Sequence, residues 1–234
     1  NLVKQEMVFP DPYKPGQNLE TNFFNASSGL LEAFKAGDLR KENYIVRSPY
    51  TDSEGNEHLG GYAPYGKFAV NYAHEPISNT NFAHAFRLPE AYLNLAEAAA
   101  QDKDEKTAKW ALETLLEKRF VPGTVSVTET GSALVERIRQ ERRLELCFEG
   151  HRWFDLRRYT VNSIRPLPDN FTIRHRNNAY EANSQTWYED GYYELNAYAK
   201  DRAACIIPIP NYAIEFNRGE LQNEIRPNRE LQRD

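Results

Sequence analysis

The sequence predicts a mainly α-helical fold, a helical-repeat core with long loop-rich insertions and few short strands. Three observations carry this. Leu88, Tyr92, Leu95, Ala96 and Ala99 recur at the i, i+4, i+7, i+8 and i+11 positions of one helical face. Ala108, Ala111, Leu112, Leu115 and Leu116 repeat that pattern after a short polar break. Ser132 then caps a third helix from about Ala133 to Phe148, which Gly150 ends before a shorter amphipathic segment from His151 to Tyr159.

Residues 1–82 form a loop-rich segment punctuated by Pro10, Pro12, Pro15, Pro49, Pro64 and Pro76. One short helix is expected near 28–36, where Leu30, Leu31 and Phe34 keep helical spacing and Gly37 closes it. Asp52 to Asn56 reads as a turn between extended segments. The helical core occupies 83–160. Pro89 suits the first turn of its first helix, because an N–H there would have no partner. Asp104 caps the second, which Pro122 and Gly123 end, and so short a link makes the two helices antiparallel. The pair fills about the 34-residue period of a tetratricopeptide unit, with small Ala96 and Ala108 at the crossing and Leu115 departing from the pattern. One unit cannot bury both its faces, so further helices should stack on it. Residues 161–234 read as an aromatic, loop-rich segment closing on the core, with an extended Ala203–Pro210 run, and all three parts form one domain.

Lys and Arg total 29 against 34 Asp and Glu, a formal charge of −5, the wrong sign for a protein that lives on phosphate contacts; no nucleic-acid partner is expected. No apolar run approaches the roughly 18 residues of a membrane helix, so no membrane-spanning segment is expected. Cys147 and Cys205 sit in apolar surroundings and read as free, buried thiols. The five histidines are scattered without ligand spacing, and no phosphate-cradling glycine motif occurs, so neither a metal nor another cofactor is expected.

Glu141, Glu145 and Glu149 recur every four residues and would repel one another unless cations lie against them. Arg142, Arg152, Arg157 and Arg158 are the nearest partners in sequence. One reading is an ion-pair lattice that fixes the helix. The other is a carboxylate pair for glycoside hydrolysis, which needs an acid, a base or nucleophile, and a cleft between them.

The stretch Arg87-Leu88-Pro89-Glu90-Ala91-Tyr92-Leu93-Asn94-Leu95-Ala96-Glu97-Ala98 resembles the R-x-x-E-x-Y-L-N-x-A-E-A helix of the SusD/RagB family of outer-membrane nutrient-binding lipoproteins. Glu141-Arg142 through Glu149-Gly150, with Arg152, Asp155, Arg157 and Arg158, is similar to that family's E-R-x-x-E-L-x-F-E-G-x-R-x-x-D-L-x-R signature. Asp38-Leu39-Arg40, Lys67-Phe68, Pro208-Ile209-Pro210 and Leu221-Gln222-Asn223 match weaker landmarks in the same order. Glu224-Ile225-Arg226 departs from the usual Pro-Gly-Tyr ending.

The resemblance implies non-enzymatic capture of an oligosaccharide or polysaccharide, or of a peptide in some members, for delivery to a SusC-like TonB-dependent transporter. It places the protein on the outward face of the cell outer membrane, lipid-anchored through an N-terminal part absent from this chain, so that these residues correspond to the C-terminal portion of a longer protein. A glycoside hydrolase and a helical-repeat adaptor for protein partners are the rival readings.

Sugar rings pack their C–H faces on aromatic rings and need polar partners for their hydroxyls. Two regions offer both. Tyr13, Phe23, Phe24 and Tyr50 lie among Asn18, Asn22, Asn25 and Asp52; Trp187, Tyr188, Tyr192 and Tyr193 lie with Asn183, Glu189, Asp190 and Asn196. These eight rings are the candidate ligand contacts. Trp110 and Trp153, each on an expected helix, read as core or helix-contact residues.

Overall fold

In the computed structural model of the chain, the described residues are 26–51, 55–63, 87–168, 170–181, 186–198, 200–218, 220–226 and 228–233. Helices dominate them, as the sequence predicts. The chain forms two compact units, residues 1–152 and 153–234.

The first unit begins with α1 (Ser28–Leu31) and α2 (Leu39–Tyr44). The helix expected to reach Ala36 thus ends at Leu31, and a new one starts after Asp38. Tertiary pairing decides this. Leu39 N–H donates to the Arg119 carbonyl at 2.8 Å and Val121 N–H to the Gly37 carbonyl at 3.0 Å, which pulls residues 37 and 38 out of helical geometry. Gly37 makes that bend at φ +79, and a Cβ there would lie 3.1 Å from Thr124 Oγ1. The Asp38 carboxylate then accepts the Arg40 amide at 3.0 Å and caps α2. Strands β1 (Val46–Thr51) and β2 (Glu57–Ala63) pair antiparallel on either side of the expected 52–56 turn.

Helices α3 (Leu88–Gln101) and α4 (Glu105–Leu116) form the expected helical hairpin, and α3 also packs on α5 (Gly131–Glu145). Asp104 caps α4, accepting the Thr107 amide at 3.1 Å. Helix α4 stops at Leu116, before Pro122 and Gly123. Helix α5 starts at Gly131 and its N-cap residue is Thr130, two residues before the expected Ser132 cap. The reason again lies elsewhere in the chain: Glu105 on α4 accepts the Gly131 amide at 2.6 Å. The other end comes at Glu145 because Phe148 and Gly150 take left-handed backbone at φ +63 and +80.

The buried face of α3 differs from the one expected. Leu93, Ala96, Ala99 and Ala100 are buried, whereas Leu88 and Leu95 are 69% and 41% exposed. Apolar residues surround most of this helix, so periodicity gives its existence without fixing which side turns inward. Trp110 is likewise 55% exposed rather than core, with Tyr92 edge-on to it at 6.1 Å between ring centroids. Leu112, two residues on, is fully buried. We therefore expect Leu112→Ala to cost about 2–5 kcal/mol of unfolding free energy. Trp110→Ala should cost well below that range, both read from urea denaturation midpoints.

A second apolar cluster, formed by Ala26, Leu30, Phe34 and Ile45 against Leu144 and Cys147, packs the α1–α2 segment onto the end of α5. Both cysteines are free and buried, as expected.

Helix α6 (His151–Thr160) begins before the unit division and continues into the second unit, where Leu156 and Tyr159 are buried. The 161–199 stretch expected as loop is mostly a hairpin of β3 (Thr172–Glu181) and β4 (Thr186–Asn196). Its polar and aromatic residues favour strands by fitting a half-exposed pleated surface, yet show no clean apolar alternation to announce one. A register shift at Asn177/Asn178 sets Gly191 opposite Asn177 and Glu189 opposite Asn178, so Asp190 is the extra residue of a bulge. A 3₁₀ turn (Ala203–Cys205) and α7 (Asn211–Phe216) follow. The two late sequence landmarks meet: the Asn223 side chain accepts from the Ile209 amide at 2.7 Å and donates to its carbonyl at 2.9 Å.

Candidate functional site: a carboxylate lattice and an aromatic hairpin

Helix α5 presents Glu141 and Glu145 into the first unit, where both side chains are buried, at 2% and 0% exposure. Four segments bring cations to them. Arg40, on α2 and itself 1% exposed, donates to Glu141 Oε2 at 2.6 Å and to Asp38 at 2.7 and 2.9 Å, with Glu145 at 3.6 Å. Arg87, just before α3, donates to Glu145 Oε1 at 3.0 Å and grips Glu149 with two bonds at 2.8 and 2.9 Å. Arg119, after α4, forks onto both oxygens of Glu145 at 2.8 and 3.0 Å. Arg137, one turn back on α5, reaches Glu141 at 3.0 Å.

The glutamate stripe is therefore met by Arg40, Arg87, Arg119 and Arg137, cations other than the expected Arg142, Arg152, Arg157 and Arg158. Of the expected four, Arg142 donates to Asn94 at 2.8 Å and lies 3.7 Å from Glu90, while Arg158 pairs with Asp155 at 3.0 Å. Helical spacing identifies a charge stripe but cannot say which distant cation folds onto it.

Burial by itself pushes the Glu145 carboxyl upward; the Arg119 hydrogen bonds and the charges of Arg119, Arg87 and Arg40 outweigh it and hold Glu145 below the ordinary carboxylate range. A glycosidase acid needs the opposite, a carboxyl whose proton persists at neutral pH. Tyr44, which donates to Glu145 at 3.3 Å, has its phenol pushed up by burial and by that carboxylate. Buried and charge-paired, Glu141 and Glu145 clamp four chain segments together, and Glu145 is unsuited to acid catalysis.

The candidate ligand rings divide between the units. Tyr13, Phe23 and Phe24 lie outside the described residues. Tyr50 stands on β1 opposite His58. The other four share β4: Trp187 and Tyr188 lie opposite Tyr180 and Ala179 beyond the bulge, and Tyr192 and Tyr193 opposite Arg176 and His175 before it. Tyr192 is 8% exposed, with the Arg174 guanidinium 4.2 Å above its ring, so little of that ring is open to a ligand. Arg174 also pairs with Glu194 at 3.2 Å. Tyr193 is half-buried.

A hollow in the second unit is lined by Trp153, Leu156, Leu167, Phe171, Ile173 and Leu195 among others. At about 20 Å³ it holds one water and no sugar ring. Trp153, half-buried, lines this hollow as a helix-contact residue rather than a core one. Among the described residues no cluster of three or more His, Cys, Asp or Glu could hold a metal, and no helix is long and apolar enough to cross a membrane.

No curated protein matches the chain. Solved structures similar to it include two SusD-type proteins. A SusD superfamily protein from Bacteroides fragilis is 22% identical, with a TM-score of 0.38, over 56% of this chain and 28% of that one. A SusD-like carbohydrate binding protein from Bacteroides vulgatus is also 22% identical, with a TM-score of 0.44, over 71% and 33% of the two chains. The match thus spans about a third or less of each relative's length, and neither likeness carries the assignment. The family match does. It runs over residues 10–225, and so includes the Asp38–Arg40 cap, the α3 helix and the whole glutamate stripe with its arginines: the chain belongs to the SusD family.

Proposed function

We propose that this chain serves non-enzymatic capture of an oligosaccharide or polysaccharide at the outer membrane, for delivery to a SusC-like TonB-dependent transporter, with the protein facing outward on a lipid anchor. The carrying observation is the family match across 10–225. Two features of the molecule support it. The buried Glu145, held below the ordinary carboxylate range by its arginines, keeps no proton to give at neutral pH, which favours holding over hydrolysis. The aromatic strand β4 supplies Trp187, Tyr188 and Tyr193 in one element, alongside polar residues suited to sugar hydroxyls.

Isothermal titration against a panel of oligosaccharides tests the reading. One glycan class should bind saturably, with Kd in the range of about 10 μM to 1 mM, and Trp187→Ala or Tyr193→Ala should weaken it about tenfold, roughly 1.4 kcal/mol. Polysaccharide incubated with the protein should yield no new reducing ends. Release of reducing ends would instead make the chain a hydrolase. Capture of the transporter barrel with no saturable sugar binding would make it an adaptor.

A further inference from the structure

Residues 228–233 run beside β4 and bridge to it at one residue pair. Tyr192 N–H donates to the Gln232 carbonyl at 2.8 Å, and Gln232 N–H returns a bond to the Tyr192 carbonyl at 2.9 Å. An acidic socket lies at each end. Arg229 pairs with the buried Asp201 carboxylate and donates to the Glu194 carbonyl at 2.8 Å. Arg233 sets two donors on the Asp190 carboxylate at 3.1 and 3.3 Å. Between the sockets Gly191 adopts φ +118, and a Cβ on it would run into the Gln232 carbonyl. Only glycine gives both that backbone and that clearance.

We infer that this edge of β4 is a recognition site for an extended peptide bearing two arginines four residues apart, occupied in cis by residues 228–233. Two side chains at i and i+4 of a strand share a face about 13 Å apart, which is how the two sockets select this spacing. The paired backbone supplies sequence-independent affinity and the sockets supply selectivity, the division of labour of strand addition. The cis segment is gripped most firmly at Arg229, against the buried Asp201 carboxylate. One bridge pair ties its backbone, and the Arg233–Asp190 pair, with Arg233 71% exposed, contributes little in water. Residues 220–226, which lead into it, are exposed and irregular. The site is independent of any sugar bound elsewhere.

The test uses a chain ending at Arg226 and a fluorescent peptide of residues 227–234. The peptide should bind the shortened chain saturably, and the full chain at least tenfold more weakly. Arg229→Ala with Arg233→Ala in the peptide, or Gly191→Ala in the shortened chain, should each cost at least tenfold. Equal binding to both chains, or none to a shortened chain that keeps its circular dichroism, overturns the inference. If the shortened chain does not fold, hydrogen exchange at the Tyr192 amide of the full chain decides. Gly191→Ala or Arg229→Ala in the full chain should accelerate exchange; an unchanged rate with both overturns it.

Discussion

Replacing Arg40 by Met is expected to cost about 4 kcal/mol of unfolding free energy, within the roughly 3–5 kcal/mol typical of removing one partner from a buried ion pair. The guanidinium is 1% exposed, and the Asp38 and Glu141 side chains that face it are 0% and 2% exposed. Without Arg40 the Asp38 carboxylate keeps only the Arg40 amide at its cap, in a place water does not reach. Glu141 fares better, because Arg137 remains at 3.0 Å. Burial would lower the Arg40 pKa, but the Asp38 and Glu141 bonds and charges override it, so the cation stays charged throughout the accessible pH range. Arg40→Lys should recover only part of the loss. A lysine is a point donor and cannot span Asp38 and Glu141 as a planar fork does. Urea denaturation of the single variants, with Glu141→Gln and the double variant, should show a coupling energy of at least about 1 kcal/mol. Additive effects would mean that the pair contributes nothing specific.

Glu145→Gln should cost about 3 kcal/mol, at the lower edge of that same range. The carboxylate is fully buried, yet two of the cations it would abandon, Arg87 and Arg119, are 19% and 21% exposed and recover some hydration, while Arg40 keeps Asp38 and Glu141. The effect should also depend on pH. Because the folded state holds the Glu145 carboxyl below its ordinary range, its contribution is present above the unfolded carboxylate pKa of about 4.3 and fades as pH falls through the folded value. The stability gap between wild type and Glu145→Gln should therefore be full at pH 7 and shrink on acidification below about pH 4. A gap that stayed constant from pH 7 to pH 3 would show that packing, rather than charge, makes Glu145 matter.

How much of this was legible follows the distance over which each feature is decided. The α3–α4 hairpin and the Asp104 cap depend on residues within a few positions of one another, and the sequence displays them. So does the glutamate stripe on α5. The partners of that stripe are another matter: Arg119, Arg87 and Arg40 act across 26, 58 and 101 residues. The local Arg142 and Arg158 looked better placed and proved to be engaged elsewhere. The β3–β4 hairpin escaped notice because its strands carry charged and aromatic residues without a clean apolar alternation. The segment bridged to it escaped too, since nothing around Gly191 announces that a carbonyl forty-one residues later will need the space.

The sequence by itself determined that the core is helical, where its helices roughly begin and end, and that the chain carries the SusD family's landmarks in order. Tertiary structure alone decided which face of α3 is buried, where α1 stops, which arginines neutralise Glu145 and what lies against Gly191. The physical reason is that backbone preference and capping are settled between neighbours, whereas burial and charge pairing are settled by whatever the rest of the chain brings within a few ångströms.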